Sequence, residues 1–132
     1  MDGPDVPPIP RLRATPDEAR RTPCDPGHPS ARMLAHGTME LRWYAPQAED
    51  RQTPHDRDEV YIVVSGTGTF VRTREAGAFD DGGIGLLGEE QVPFAPGDAL
   101  FVPAGAVHRF ERFSPDFAAW AVFYGPEGGE RG

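Results

Sequence analysis

The sequence contains no lysine: all 13 of its basic residues are arginine. Schiff-base chemistry and a P-loop lysine are thereby excluded. It holds one cysteine, Cys24, so no disulfide can close within the chain. That fits a reducing cytoplasm, which is the expected location. No apolar run approaches the roughly 20 residues of a membrane helix. The first residues, Met1 to Pro10, are acidic and proline-rich rather than basic and then apolar, as a signal peptide would be. Positive charge is also scarce. Acids outnumber bases 21 to 13, for a net charge of -8, and such a field repels nucleic acid and anionic membrane. Neither is an expected partner.

What is present is 132 residues, enough for one domain with one core. Three parts are expected: an extended proline-rich arm over residues 1–30, a β-domain over 31–125, and a flexible tail over 126–132. The arm carries eight of the 15 prolines. Within it, Thr15-Pro16-Asp17-Glu18 reads as a capping box with proline at the first helical position. That helix can reach only Arg21 or Thr22 before Pro23 interferes. Cys24 and His28 read as solvated arm residues. An arm of this length could pack across a partner subunit by adding to a sheet edge.

From Ala31 the texture changes to short β-like runs between glycines and prolines. Met39 to Tyr44 alternates, with Met39, Leu41 and Trp43 on one face and Glu40 and Arg42 on the other. Val60 to Ser65 reads as a strand, turning at Gly66-Thr67-Gly68 into Thr69 to Thr73. Further strands are expected over Gln91 to Phe94, Ala99 to Val102, Val107 to Phe113 and Phe117 to Tyr124. Residues 75–90 read as a long hairpin loop, and Ala45 to Gln52 as a polar one. Seven or more short strands without a core-length helix indicate an all-β antiparallel sandwich or barrel. Periodicity does not separate the two.

Two stretches carry the chemistry. In the first, His55 and Glu59 precede a β-branched strand that stops at Gly66; in the second, Gly97, Pro103 and Gly105 lead to His108. Strand alternation puts Glu59, Tyr61 and Val63 on one face, and His108, Phe110 and Arg112 on another. If those faces meet, two imidazoles and a carboxylate form a facial triad suited to Fe(II), with positions left open for substrate or oxygen. The same ligands accept Mn, Co, Ni or Zn.

These stretches resemble the paired motifs of the cupin superfamily. The first such motif is His-x-His, three or four residues, Glu, six residues, Gly. His55 takes the second histidine, Glu59 follows after three residues and Gly66 after six more. The second is Gly, five residues, Pro-x-Gly, two residues, His, three residues, Asn, and Gly97, Pro103, Gly105 and His108 fall on it without a gap. The resemblance spans Met39 to Tyr124. It implies a double-stranded β-helix, the cupin jelly-roll barrel, often homodimeric, with one divalent metal in its mouth. Thr53 stands where the first histidine belongs, and Arg112 where the asparagine belongs. The protein ligands are thus three: His55, Glu59 and His108. Water, Gln52 or His36 remain candidates for the fourth place.

The function expected on this basis is that of a metal-dependent enzyme acting on a small oxygenated organic molecule. Dioxygenase chemistry at iron comes first, and metal-assisted isomerisation or lyase chemistry close behind. Tyr61 and Arg112 are the candidate catalytic residues: Tyr61 as a base, Arg112 as a bidentate holder of a substrate carboxylate if it points inward. No spare inward carboxylate is apparent for the second chemistry. The alternative is a non-catalytic small-molecule-binding barrel, which Thr53 favours. Gly83 to Gly88 matches a dinucleotide-binding string, but no strand-then-helix frame surrounds it and flanking acids would repel a pyrophosphate.

Overall fold

The computed structural model describes residues 11–50, 53–73 and 88–131. The expectations for Met1 to Pro10, for Gln52 and for most of the 75–90 loop lie outside the described residues. The order of elements is α1 (Pro16–Arg20), β1 (Ser30–His36), β2 (Met39–Tyr44), β3 (Asp58–Ser65), β4 (Gly68–Thr73), β5 (Glu89–Phe94), β6 (Ala99–Val102), β7 (His108–Glu111) and β8 (Ala118–Tyr124). The strands form two antiparallel sheets. One has five strands in the order β1-β2-β8-β3-β6, and the other three in the order β5-β4-β7. The core lies between them.

Period-two patterning explains most of this. In β3, Glu59, Tyr61 and Val63 are buried at 0, 0 and 2% exposure, while Ile62 between them is 36% exposed. β1 is the strand not separately foreseen. Its pairing with β2 shifts register between Arg32 and Leu34, and such an irregularity erases the alternation by which a strand is recognised. β7 ends at Glu111 because Arg112 takes a left-handed conformation, with φ of 52°.

In β2 the alternation is real, but the polar-looking face turns inward. Glu40, Arg42 and Tyr44 lie opposite Phe123, Ala121 and Ala119 of β8, and directly opposed residues share a face. Ala119, Ala121, Phe123 and Tyr44 all belong to the main core. The two alanines leave the room that Arg42 and Tyr44 occupy. Trp43 faces the other way and packs edge-on against Trp120, with ring centroids 4.8 Å apart.

The segment before β1 covers that outer face. Thr15 makes the expected capping box with Glu18, and α1 closes at the C-cap Arg21. Ala19 is buried with Ala31, Met33, Trp43 and Ala118 in a second apolar cluster, and the Arg20 guanidinium lies 5.3 Å from the Trp43 ring centre. Gly128 and Glu130, after β8, are also held. The Gly128 N–H donates to the Asp56 carbonyl (2.7 Å), and the Glu130 N–H to Asp58 Oδ2 (2.8 Å). Sequence composition leaves this tail loose; backbone hydrogen bonds to the β3 entry hold it.

Candidate metal centre

Glu59 sits at the start of β3, paired with Val102 of β6 and Phe123 of β8. His108 opens β7 in the facing sheet. His55 precedes β3 on a loop that the other motif holds in place: its carbonyl accepts from the Gly105 N–H at 2.6 Å. Asp58 Oδ1 accepts from the Ala104 N–H at 2.9 Å, so the two motif loops are stitched together twice. The His55 ring then packs edge-on against Phe123, centroids 4.9 Å apart, and lies 5.3 Å from the ring of His108.

The three side chains converge. His55 Nε2 is 3.7 Å and His108 Nε2 3.5 Å from Glu59 Oε1, and one ligand atom from each lies within 4.8 Å of the others. Two ligands on a common transition ion stand about 3.0–3.4 Å apart, given bonds of about 2.1 Å. Small side-chain adjustments would close that gap. The donor set fits a cation in a second way: His55 Nε2 and both Glu59 carboxylate oxygens are buried without a hydrogen-bond partner. Acceptors left this way are costly unless something positive joins them.

The electrostatics agree. Burial, offset in part by the neighbouring Tyr61 hydroxyl, pushes the Glu59 carboxyl up to about 8. Burial and then His108 lower His55 to about 4. Burial also lowers His108, against the pull of the Ala106 carbonyl. Both imidazoles are thus neutral near pH 7. The His108 Nδ1–H donates to the Ala106 carbonyl at 3.1 Å, which leaves the Nε2 lone pair facing Glu59.

Tyr61 is fully buried, and its hydroxyl lies 3.1 Å from His108 Nε2. It stands beside a ligand rather than on the walls of the open cavity. That cavity holds about 120 Å³ and is lined by His55, Glu59, Arg42, Tyr44, Arg57 and Phe123, among others. A larger one of about 680 Å³ beside Asp58 and Arg72 contains none of the three ligands. Arg112, proposed for the inner face, is exposed beyond the end of β7. Its left-handed backbone breaks the alternation that would have carried it inward. Thr53 and His36 are exposed, and neither belongs to the ligand cluster.

Three residues of the site were not singled out from sequence. Arg42 is 6% exposed. Its Nε donates to Ser30 Oγ and its Nη1 to Glu40 Oε1, both at 2.6 Å, while Nη2 pairs with Asp25. Tyr44 donates its hydroxyl proton to Asp50 Oδ1, and the Phe110 N–H donates to Asp50 Oδ2 at 2.7 Å. Asp50 is thus the inward carboxylate that the sequence did not reveal. Nothing in the polar string from Gln47 to Gln52 marks one acid above its neighbours.

No family model matches the chain. A Cupin 2 conserved barrel domain protein from Salinispora arenicola superposes with a TM-score of 0.56 and 19% identity, over 87% of this chain and 90% of its own. In fold, this chain is a cupin. An uncharacterised protein of Streptomyces coelicolor is 34% identical over 97 residues, 72% of this chain and 78% of that protein. This cupin belongs to the same family as that protein. Among its described residues no helix is long and apolar enough to cross a membrane.

Proposed function

We propose that this cupin is a metal-dependent enzyme acting on a small oxygenated organic molecule, with His55, Glu59 and His108 as the protein ligands. One observation carries the reading: three donor groups converge, His55 and Glu59 of them on a cavity wall, while His55 Nε2 and the Glu59 oxygens make no hydrogen bond. A bound divalent ion would supply Lewis-acid polarisation of a ligand oxygen or, as iron, activation of dioxygen. Iron is the first choice, with manganese, nickel and zinc next.

The chain's own part is to shape and dry the site. Phe123 packs on His55 and limits its rotation. Ala106 sets the tautomer of His108. Tyr44, Arg42 and Phe123 bound the small cavity that opens beside His55 and Glu59. A homodimer in the cytoplasm is the accompanying proposal, and mass measurement in solution tests the dimer.

The test of function is elemental analysis of protein purified without chelator or affinity metal, beside a His55→Ala control. Near-stoichiometric metal that vanishes in the control supports the reading, and iron directs the next assay to oxygen consumption. If no metal binds after reconstitution with Fe(II), Mn(II) and Zn(II), the enzyme reading loses its mechanism. The exposed Thr53 favours one second reading, a barrel that holds a small molecule without turnover. His108→Ala separates the two, since only an enzyme has turnover to lose.

A further inference from the structure

The two arginines on the wall of the cavity beside the ligands, Arg42 and Arg57, each donate to neighbouring acceptors. His55 Nε2 and the Glu59 oxygens carry lone pairs and no hydrogen-bond partner. Arg42, the most buried cation on its wall, is engaged by Asp25, Glu40 and Ser30. Two residues on the wall bear hydroxyls: Ser30 accepts from Arg42 Nε through its Oγ, and Tyr44 commits its proton to Asp50. The Tyr44 hydroxyl therefore has only a lone pair to offer the cavity.

That polarity is set from outside the cavity. Asp50 Oδ2 accepts from the Phe110 backbone N–H, so the carboxylate is anchored at one oxygen and presents the other to Tyr44. Burial, with Asp50 next to it, raises the Tyr44 hydroxyl above its usual value and keeps it protonated.

We infer that Tyr44 accepts a hydrogen bond from a hydroxyl of the bound ligand, and that Asp50, oriented by the Phe110 N–H, is the positioning residue that fixes Tyr44 as acceptor. The inference rests on the metal-centre reading and narrows its substrate class to small molecules bearing a hydroxyl beside the group that meets the metal. Glycolate, the smallest 2-hydroxy carboxylate, is the simplest probe of that class.

The geometry makes an uncommon demand on one variant. In Asp50→Asn the Phe110 N–H still needs an acceptor, so the amide oxygen must take that side. The amide N–H₂ then faces Tyr44 and donates to its oxygen. Tyr44's own proton is released toward the cavity, and the tyrosine changes from acceptor to donor.

The experiment loads the full chain with Co(II) and follows its visible spectrum while glycolate or methoxyacetate is added. Methoxyacetate keeps the carboxylate and caps the hydroxyl. The wild type should prefer glycolate by about tenfold more than free Co(II) does, the worth of one hydrogen bond. Tyr44→Phe, which preserves volume, should bring the ratio back to that of the free ion. Asp50→Asn should move it past that point toward methoxyacetate. A wild-type ratio equal to that of the free ion, or one unchanged in Tyr44→Phe, overturns the inference and leaves the metal centre standing. Failure of Co(II) to bind the wild type overturns both. If Asp50→Asn does not fold by circular dichroism, Tyr44→Phe decides alone.

Discussion

His55 Nε2 and Glu59 Oε1 lie 3.7 Å apart, both buried, and neither has a hydrogen-bond partner. Three residues of chain separate them, with His55 on a loop and Glu59 on a strand. A proton or a metal ion is what this arrangement accommodates. Glu59→Gln distinguishes the two. With its carboxyl pushed up to about 8, Glu59 must take up a proton on folding at pH 7 in the metal-free protein, so the amide, which carries no such cost, should raise the metal-free thermal midpoint. Metal affinity should fall by roughly 100-fold or more, because the anionic ligand is gone. Equilibrium dialysis against Zn(II) checks the second outcome and calorimetry the first.

Metal uptake should release a proton near pH 7. Both imidazoles are neutral there, so the proton comes from Glu59, and close to one should appear per ion bound. Titration calorimetry in buffers of different ionisation enthalpy counts it. A buffer-independent heat at pH 7 would contradict the raised Glu59 value.

The same groups shape stability in the metal-free state. Glu59 has a folded value raised from 4.5 to about 8. Its contribution is complete below 4.5 and is lost as pH rises through 8. His55 has the opposite sign: lowered from 6.5 to about 4, its contribution is present above 6.5 and lost as pH falls through 4. The midpoint difference between wild type and Glu59→Gln should therefore grow as pH rises from about 4.5 to about 8, in favour of the variant, and level off above. Thermal scans from pH 4 to 9 on metal-free protein read it directly.

Gly66 should tolerate no side chain. Its φ is 84°, and a Cβ there would lie 2.5 Å from the Phe117 Cα and 2.8 Å from Ser114 Oγ. Left-handed strain and the backbone clash together suggest a loss of roughly 3 kcal/mol for Gly66→Ala. That corresponds to a midpoint lower by about 10 °C in a domain of this size.

Arg42→Ala should also destabilise, by about 3 kcal/mol, since it leaves Asp25 and Glu40 without their shared cation beside the core. Arg42→Met should recover part of this loss by keeping the stem's packing. A chemical-denaturation series on the three proteins checks the order wild type, Met, Ala.

Much of the site was legible because its spacing is local. Glu59, Tyr61 and Val63 share a face by strand geometry alone, and His108 and Phe110 likewise. Glycines and prolines mark where the strands stop. Arg112 fitted the same arithmetic and does not obey it, because one left-handed residue ends the period.

The sequence by itself determined the strands other than β1, the two motifs and the three residues that could hold a metal, since each follows from period, punctuation and ligand chemistry within a few residues. Only the tertiary structure decided that the face of β2 carrying Arg42 and Tyr44 turns inward, that Asp50 reaches Tyr44 and Phe110, and that α1 and the Gly128–Glu130 segment are held against the barrel. Those outcomes depend on which strands pair and on how much room their neighbours leave. Ala119 and Ala121 make that room from about 80 residues away in the chain, a distance over which no local pattern carries information.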